Sequence, residues 1–501
     1  MPEAKVKIAL PEEGRALECS KGENLYAVLS AAGLIDAPCG GRGFCGKCGV
    51  LVNGEKRLSC EVTVEGDLTV TLPRGAAASR ITSTGFRKEF QLDPQPAGSY
   101  GVAIDIGTTT VVASLIDLST GEEADSFSCL NSQKSCGQDV ITRIHYADEN
   151  EGGLAALQRL ILDDLRGLIG RLLEQKGLPG EAVKDVTVAG NTTMIHLFGG
   201  VDPHCLSAAP YKPAFEGPFE TTAGALGFPL APNCPVYCLP AVAAYVGGDI
   251  TAGILACGVD EARDRLLFID IGTNGEMVLA DRGRLFACSC AAGPALEGMN
   301  ITCGMRAADG AIEDVVIEGG SVRWNTIGGA APSGICGSGL LALVSELRAH
   351  GLIDESGRFT AHPLVTSVDG KKRVQLDEEH DVFLNQKDVR QVQLAKGAIL
   401  SGVVTMLKAA SLAPEDLDRV IVAGQFGAHL KAASITGSGL IPEVLQDRIT
   451  YAGNTSISGA AICLLSKKQR AQCERAVNGI QYIELSTLEG FDKVFVDSLK
   501  F

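Results

Sequence analysis

Residues 4–10 (AKVKIAL) alternate in the period of a half-buried strand. Short apolar runs at 48–52 (CGVLV) and 68–72 (LTVTL) predict two more, with a hairpin turn at NGEK, 53–56. Between them GENLYAVLSAAGL (22–34) sets Leu25, Val28 and Leu29 on one side of a short helix. From residue 101 the texture changes. GVAIDIGTTTVVASLIDLSTGE predicts strand, tight turn, strand; 154–175 has helical periodicity; DVTVAG (185–190) reads as a buried strand; and PAVAAYVGGDITAGILACG (240–258) reads as a helix of small residues. RLLFIDIGTNGEMVLADRGRL (265–285) then repeats the strand–turn–strand pattern. GICGSGLLALVSELRAHGLI (334–353) is a glycine-rich loop entering a helix, RVIVAGQFGAHL (419–430) a strand entering a glycine turn and helix, and YAGNTSISGAAICLLS (451–466) a second small-residue helix.

Between these textures, residues 74–99 carry Pro, Gly, Ser and mixed charge with little periodicity. They predict a linker that reaches ~90 Å at most and permits the first domain to move, with a linker packed onto the surface as the equal alternative. At 501 residues the chain is too long for one ordinary core. A net charge of −16 without a Lys/Arg block excludes nucleic acid as a main partner. No long uncharged apolar run predicts a membrane span, and the start has no secretory apolar region, so a cytoplasmic protein is expected. Seventeen cysteines in a reducing compartment then point to metal or redox chemistry rather than disulfides.

Four of them form the pattern Cys39-x5-Cys45-x2-Cys48-x11-Cys60. Structural zinc favours two CxxC-like pairs. Three cysteines on one glycine-rich loop with a distant fourth suit a [2Fe–2S] cluster better, the glycines letting backbone N–H groups approach the sulfurs. The first spacing is x5, not the plant-type x4. Cys19 falls outside the pattern, and Cys129, Cys257 and Cys463 read as ordinary thiols. Cys288, Cys290 and Cys303 read as thiols flanking the GPALEG loop, with a second metal site as the alternative.

Asp105-Ile-Gly107-Thr108-Thr109-Thr110 and Asp270-Ile-Gly272-Thr273-Asn274-Gly275 each follow a strand. In both, a glycine turn and hydroxyl or amide donors can cradle phosphate, and the aspartate at the strand end can hold hydrated Mg²⁺. Two such loops suggest two similar lobes facing one nucleotide. Gly337, Ser338 and Gly339 open a helix and offer nitrogens to adenosine or phosphate. Gly424, Gln425 and Gly427 form a candidate adenosine segment. Glu276 or Asp139 could position the hydrolytic water. The order of these parts resembles the acetate/sugar kinase, Hsp70 and actin (ASKHA) superfamily, whose two connecting helices would correspond to 240–257 and 454–466. The small residues Ala243, Ala244, Gly247 and Gly248, and Gly459, Ala460 and Ala461, suit close helix crossing at a hinge.

Nearly the whole chain resembles the reductive activators of corrinoid enzymes. The supporting segments are CGGRGFCGKC, DIGTTT, NSQKSCGQDVITRI (131–144), VAGNTTM, DIGTNGEM, AAGPALEGMNITCGMRA (291–307), SGICGSGLL and AGQFGAHL. The chain is compact for that family. The resemblance implies an α/β multidomain protein: a β-grasp [2Fe–2S] ferredoxin-like domain at 1–73, a linker at 74–99, a first ATPase lobe at 100–265 (with 100–183 a candidate separate middle domain) and a second lobe at 266–501 whose C-terminal helix returns to the first. It implies ATP and Mg²⁺ as cofactors, a corrinoid protein of a methyltransferase system as partner, a cellular electron donor, and a homodimer as one option for assembly. The activity implied is ATP-dependent return of one electron to an inactive Co(II) corrinoid, giving Co(I). The alternatives are a small-molecule kinase with a redox-sensing ferredoxin domain, an activator of the 2-hydroxyacyl-CoA dehydratase type, and a nucleotide-gated scaffold.

Overall fold

The computed structural model describes residues 5–32, 34–35, 48–72, 85–93, 95–424 and 430–501. Cys39, Cys45, Gln425 and Gly427 lie outside the described residues.

The N-terminal unit holds β1 (Lys5–Leu10), β2 (Arg15–Ser20), α1 (Leu25–Ala31), β3 (Gly49–Val52), β4 (Glu55–Leu58) and β5 (Leu68–Thr71). They form a mixed sheet of order β2-β1-β5-β3-β4 in which only β1 and β5 run parallel. Leu25 and Leu29 of α1 pack with Ile8, Val50 and Val70 from the sheet. The predicted NG turn is present, with both Asn53 and Gly54 at positive φ, as that tight hairpin requires.

The next sheet is built from β6 (Tyr100–Ile106), β7 (Thr110–Asp117) and β8 (Glu123–Leu130). After α2 (Val140–Glu149) and α3 (Gly153–Lys176) comes β9 (Val183–Gly190), then α4 (Thr192–Gly199), β10 (Phe219–Thr222), α5 (Ala223–Leu226), β11 (Pro235–Cys238) and α6 (Gly248–Cys257). Its order is β10-β11-β9-β6-β7-β8. The second sheet repeats this plan with β12 (Arg265–Ile271), β13 (Gly275–Asp281), β14 (Arg284–Cys290), β21 (Arg419–Ala423), β22 (Ile449–Gly453) and β23 (Ile480–Tyr482), in the order β22-β21-β12-β13-β14-β23. In each, three antiparallel strands meet two parallel ones across the strand that leads into a DIGT loop. The internal repeat in the sequence is therefore a repeat of topology.

Two three-stranded sheets are inserted in the second lobe: β15 (Ala311–Glu318), β16 (Ser321–Thr326) and β17 (Gly334–Ile335), then β18 (Val365–Val368), β19 (Lys371–Asp377) and β20 (Val382–Asn385). Around them lie α7 (Gly337–Ala349), α8 (Gln386–Ala410), α9 (Ala432–Gly437), α10 (Thr455–Leu465), α11 (Lys467–Asn478) and α12 (Phe491–Ser498). By length and composition α8 could cross a membrane, but its Val392, Ile399, Val403 and Met406 are wholly buried in the lobe's core.

Helices α6 and α10 cross between the sheets. A Cβ on Gly459 would stand 2.1 Å from Ala252 O, so the two backbones touch. Thr187 of the first sheet donates its hydroxyl to Ala460 O at 2.7 Å, tying α10 back to the first lobe. Both predicted helices are shorter than expected. Residues 240–247 are not helical, because the chain there presses on Asn191: a Cβ on Gly247 would lie 2.5 Å from Asn191 Cα. Residues 449–453 form β22, and Asn454 caps α10 by accepting from Ile457 N.

The linker expectation needs correction over its second half. Phe86 N donates to Ala452 O (2.7 Å), Lys88 N to Ala256 O (2.9 Å), Asp93 N to Leu465 O (2.9 Å) and Gln95 N to Leu118 O (3.2 Å). Phe90 and Leu92 pack against the hinge core. Residues 85–93 and 95–99 thus form a strap across the ends of α6 and α10, because the apolar residues spaced along them find an apolar groove there.

Candidate functional site

A cleft between the two sheets brings the two DIGT loops together. Asp105, Gly107, Thr108, Thr109 and Thr110 line one side, and Asp270, Gly272, Thr273, Asn274 and Glu276 the other; Gly337, Ser338 and Gly424 close it. The expectation that Gly107 N–H binds phosphate is corrected: it donates to Thr110 O at 2.9 Å, as Gly272 N–H does to Asn274 O. Each glycine amide is used to close its own turn. Gly339 does not line the cleft; a Cβ there would stand 2.1 Å from Ile312 O, so its role is close packing of α7 on β15.

The first loop is held from below by buried side chains. Asn131 Nδ2 donates to Gly107 O at 2.8 Å. Arg143, with no exposed surface, donates to Thr108 O and to Gly137 O (2.9 Å). Asn191 Nδ2 reaches Thr108 Oγ1 at 3.0 Å, while its Oδ1 caps α4. Burial pulls the Arg143 guanidinium down to about 10, still charged at neutral pH. The segments 131–144 and 188–194 therefore form a polar bed for the phosphate loop. A buried polar group is costly unless bonded, so this bed fixes one loop conformation. Asp139 is a correction. It does not line the cleft but caps α2, its carboxylate accepting from Thr142 N at 2.8 Å in a reciprocal capping box.

Five carboxylates face the cleft: Asp105, Asp249, Asp270, Glu276 and Glu297. Asp249, at the start of α6, had no role in the sequence reading. The signal was a lone acid inside the small-residue run 240–258. Burial, then the charge of Asp105, pushes Asp249 up to about 7. Burial with Asp249 and Asp105 does the same to Asp270, and burial with Asp249 and Asp270 pushes Glu276 well above the usual carboxylate range. Asp105 is also raised by burial, opposed by hydrogen bonds from Asn454 Nδ2 (2.9 Å) and Ser456 Oγ (2.8 Å). Crowded carboxylates that hold protons near neutrality fit a divalent cation, which would discharge them. Among the described residues no three acidic, His or Cys side chains converge closely enough to hold a metal ion unaided.

In the N-terminal unit, Cys48 and Cys60 are the described members of the four-cysteine pattern. Their sulfurs stand 3.1 Å apart. Ser59 N donates to Cys48 O (2.8 Å) and Asn24 Nδ2 to Cys60 O (2.8 Å), so the start of α1 fixes the turn carrying the distant cysteine. These neighbouring sulfurs could serve one metal after a small separation, since tetrahedral ligands stand farther apart than this. Cys288 and Cys290 are core residues with thiols raised by burial, Cys288 to about 12; Cys303 Sγ lies near Asp381 O at 3.6 Å.

Two sheets of one plan, hinged on crossing helices around a cleft with paired phosphate loops, define an actin-like ATPase. Residues 264–501 match the family description "C-terminal domain of RACo, the ASKHA domain", and residues 100–262 match the RACo middle region. A solved structure described as a reductive activator for corrinoid, iron–sulfur protein superposes over 100% of this chain and 98% of its own, with a TM-score of 0.75 and 32% identity. The corrinoid activation enzyme RamQ of Eubacterium limosum is 28% identical across 99% of both chains. The [Co(II) methylated amine-specific corrinoid protein] reductase of Methanosarcina barkeri is 25% identical over 80% of this chain and 77% of its own. The chain belongs to the family of reductive activators of corrinoid proteins.

Proposed function

We propose that the protein is an ATP-dependent reductive activator that returns one electron to an inactive Co(II) corrinoid protein, regenerating Co(I). The observation that carries this is the union in one chain of a hinged ATPase cleft with a small N-terminal sheet on which Cys48 and Cys60 meet. The N-terminal unit, residues 1–73, is read as a β-grasp ferredoxin. Its [2Fe–2S] cluster, held by Cys39, Cys45, Cys48 and Cys60, would supply one-electron chemistry. The ATPase lobes are read as 100–265 and 266–501. Each ~100 mV of unfavourable potential costs roughly 2.3 kcal/mol for one electron, well within what lobe closure around a nucleotide can offset. Asp249, Asp270 and Glu276, with Mg²⁺, are read as the hydrolytic acids, Glu276 being placed to orient water. A cytoplasmic location, a cellular reductant and a homodimer belong to the same reading.

The test is anaerobic spectroscopy of a Co(II) corrinoid protein mixed with the reduced full-length chain. Co(I) should form with MgATP and not without it, and Cys60→Ser should abolish its formation. Phosphoryl transfer to a sugar or carboxylic acid, with no cobalt reduction, would instead establish the kinase alternative.

A further inference from the structure

The cleft has an electrostatic problem. Asp105, Asp249, Asp270, Glu276 and Glu297 line it, and Arg306 is the one cationic side chain among its described lining residues. A nucleoside triphosphate is itself strongly anionic, and Mg²⁺ neutralises only part of the combined charge. We propose that Arg306 contacts the polyphosphate of the nucleotide, and that Glu297, anchored on the second phosphate loop, positions it. This rests on the reading of the cleft as an ATP site and adds the cation that reading lacks.

The segment 291–307 is built to deliver these two side chains. Glu297 ends the short turn Pro294–Glu297. Gly298 reverses the chain at φ +78°, and a Cβ on it would stand 2.2 Å from Met305 O. A Cβ on Gly304 would stand 2.1 Å from Gly298 O, so the loop crosses itself backbone on backbone. Met305 N donates to Ile335 O (2.9 Å) and Ile335 N to Cys303 O (2.7 Å), clamping the returning chain beside Gly337 and Ser338. The loop's closure leaves Glu297 and Arg306 at its two ends, both on the cleft wall.

Thr273 Oγ1 donates to Glu297 Oε1 at 2.5 Å, joining this loop to the second DIGT turn. Burial raises the Glu297 carboxyl, while Thr273 and the charge of Arg306 favour its ionised form. An ionised Glu297 near the guanidinium favours its orientation electrostatically, and the planar fork of an arginine suits phosphate oxygens in a way a lysine does not.

The test uses the full-length protein and calorimetric titration with MgATP and, separately, adenosine. Arg306→Met should weaken MgATP binding at least tenfold and leave adenosine binding within about twofold; Arg306→Lys should recover part of the loss. Glu297→Gln should also weaken MgATP binding, by less than Arg306→Met does, and leave adenosine binding within about twofold. In the double variant E297Q/R306M the two effects should not multiply, because Glu297 acts through Arg306. Matching thermal melts guard against misfolding, and the lysine variant serves if the methionine variant does not fold. Unchanged MgATP affinity in Arg306→Met, or multiplying effects in the double variant, would overturn the inference. Wild type with no affinity for MgATP would overturn both the cleft reading and the inference. If wild type binds MgATP and Arg306→Met does not, yet cobalt is never reduced, the inference stands and the activator reading falls.

Discussion

The two DIGT loops share four residues and one strand–turn–strand geometry, yet they are held in opposite ways. Around the first, Arg143, Asn131 and Asn191 satisfy the loop from beneath, and Asp105 is gripped by Asn454 and Ser456 at the start of α10. Around the second, among the described residues, no side-chain donor reaches Asp270, and Thr273 is tied sideways to Glu297. Asp105 is therefore a latch between the first lobe and the hinge helix, while Asp270 sits among the raised carboxyls of Asp249 and Glu276, where the proposed reading puts a cation. Equivalent sequence positions have divided the work: one organises the site, the other meets the charge.

The sharpest break of this comparison is Asp270→Asn. It should lower ATP turnover on the order of 100-fold, the scale of losing one charge-stabilising group, with no loss of thermal stability. A large fall in melting temperature would mean that Asp270 is a structural latch too. Arg143→Met should show the reverse emphasis: a loss of about 3 kcal/mol in denaturant unfolding, since Thr108 O and Gly137 O lose their donor, with a rise in KM for ATP. Unchanged unfolding would remove the bed from the account. Asp105→Ala should cost about 2 kcal/mol by stranding Asn454 Nδ2 and Ser456 Oγ, measured in the same way.

The smallest effect is pH-dependent. Asp249 is raised to about 7, above its value in the unfolded chain. The native state then binds the extra proton between roughly pH 4 and 7, so stability falls as pH rises through that window. Asp249→Asn removes the penalty. It should stabilise the nucleotide-free protein by about 1–2 kcal/mol at pH 8, after allowance for water in the cleft, and by almost nothing near pH 4. An equal gain at both pH values would show that the charge of Asp249 is not the cause.

Much of this was legible before the fold was known. Period-2 runs and the repeated IDIGT marked both lobes, since buried strands ending in glycine turns leave a strong local pattern. Roles that depend on distant neighbours were not legible. Asp139 and Asp249 are both single acids near helix starts; only the fold shows that one caps α2 while the other faces the cleft. Arg143 and Arg306 lay inside those motifs without an assigned task, because only the fold sets what they face: Thr108 O for Arg143, the cleft for Arg306. A packed linker was one of two readings of 74–99, but where it docks was not legible, because the groove that Phe90 and Leu92 fill is made by chain that comes much later.

That strap also sets a radius. With Gly85 pressed against Asn454 at the hinge, the stretch from Leu72 to Gly85 can span no more than ~45 Å, whatever its course. The cysteine-bearing unit is leashed to the moving joint of the ATPase, at half the reach the sequence suggested. On the proposed reading, a corrinoid partner would have to present its cobalt within that reach of the hinge, and the local concentration of the cysteine-bearing unit there would be fixed by chain length and not by abundance in the cell.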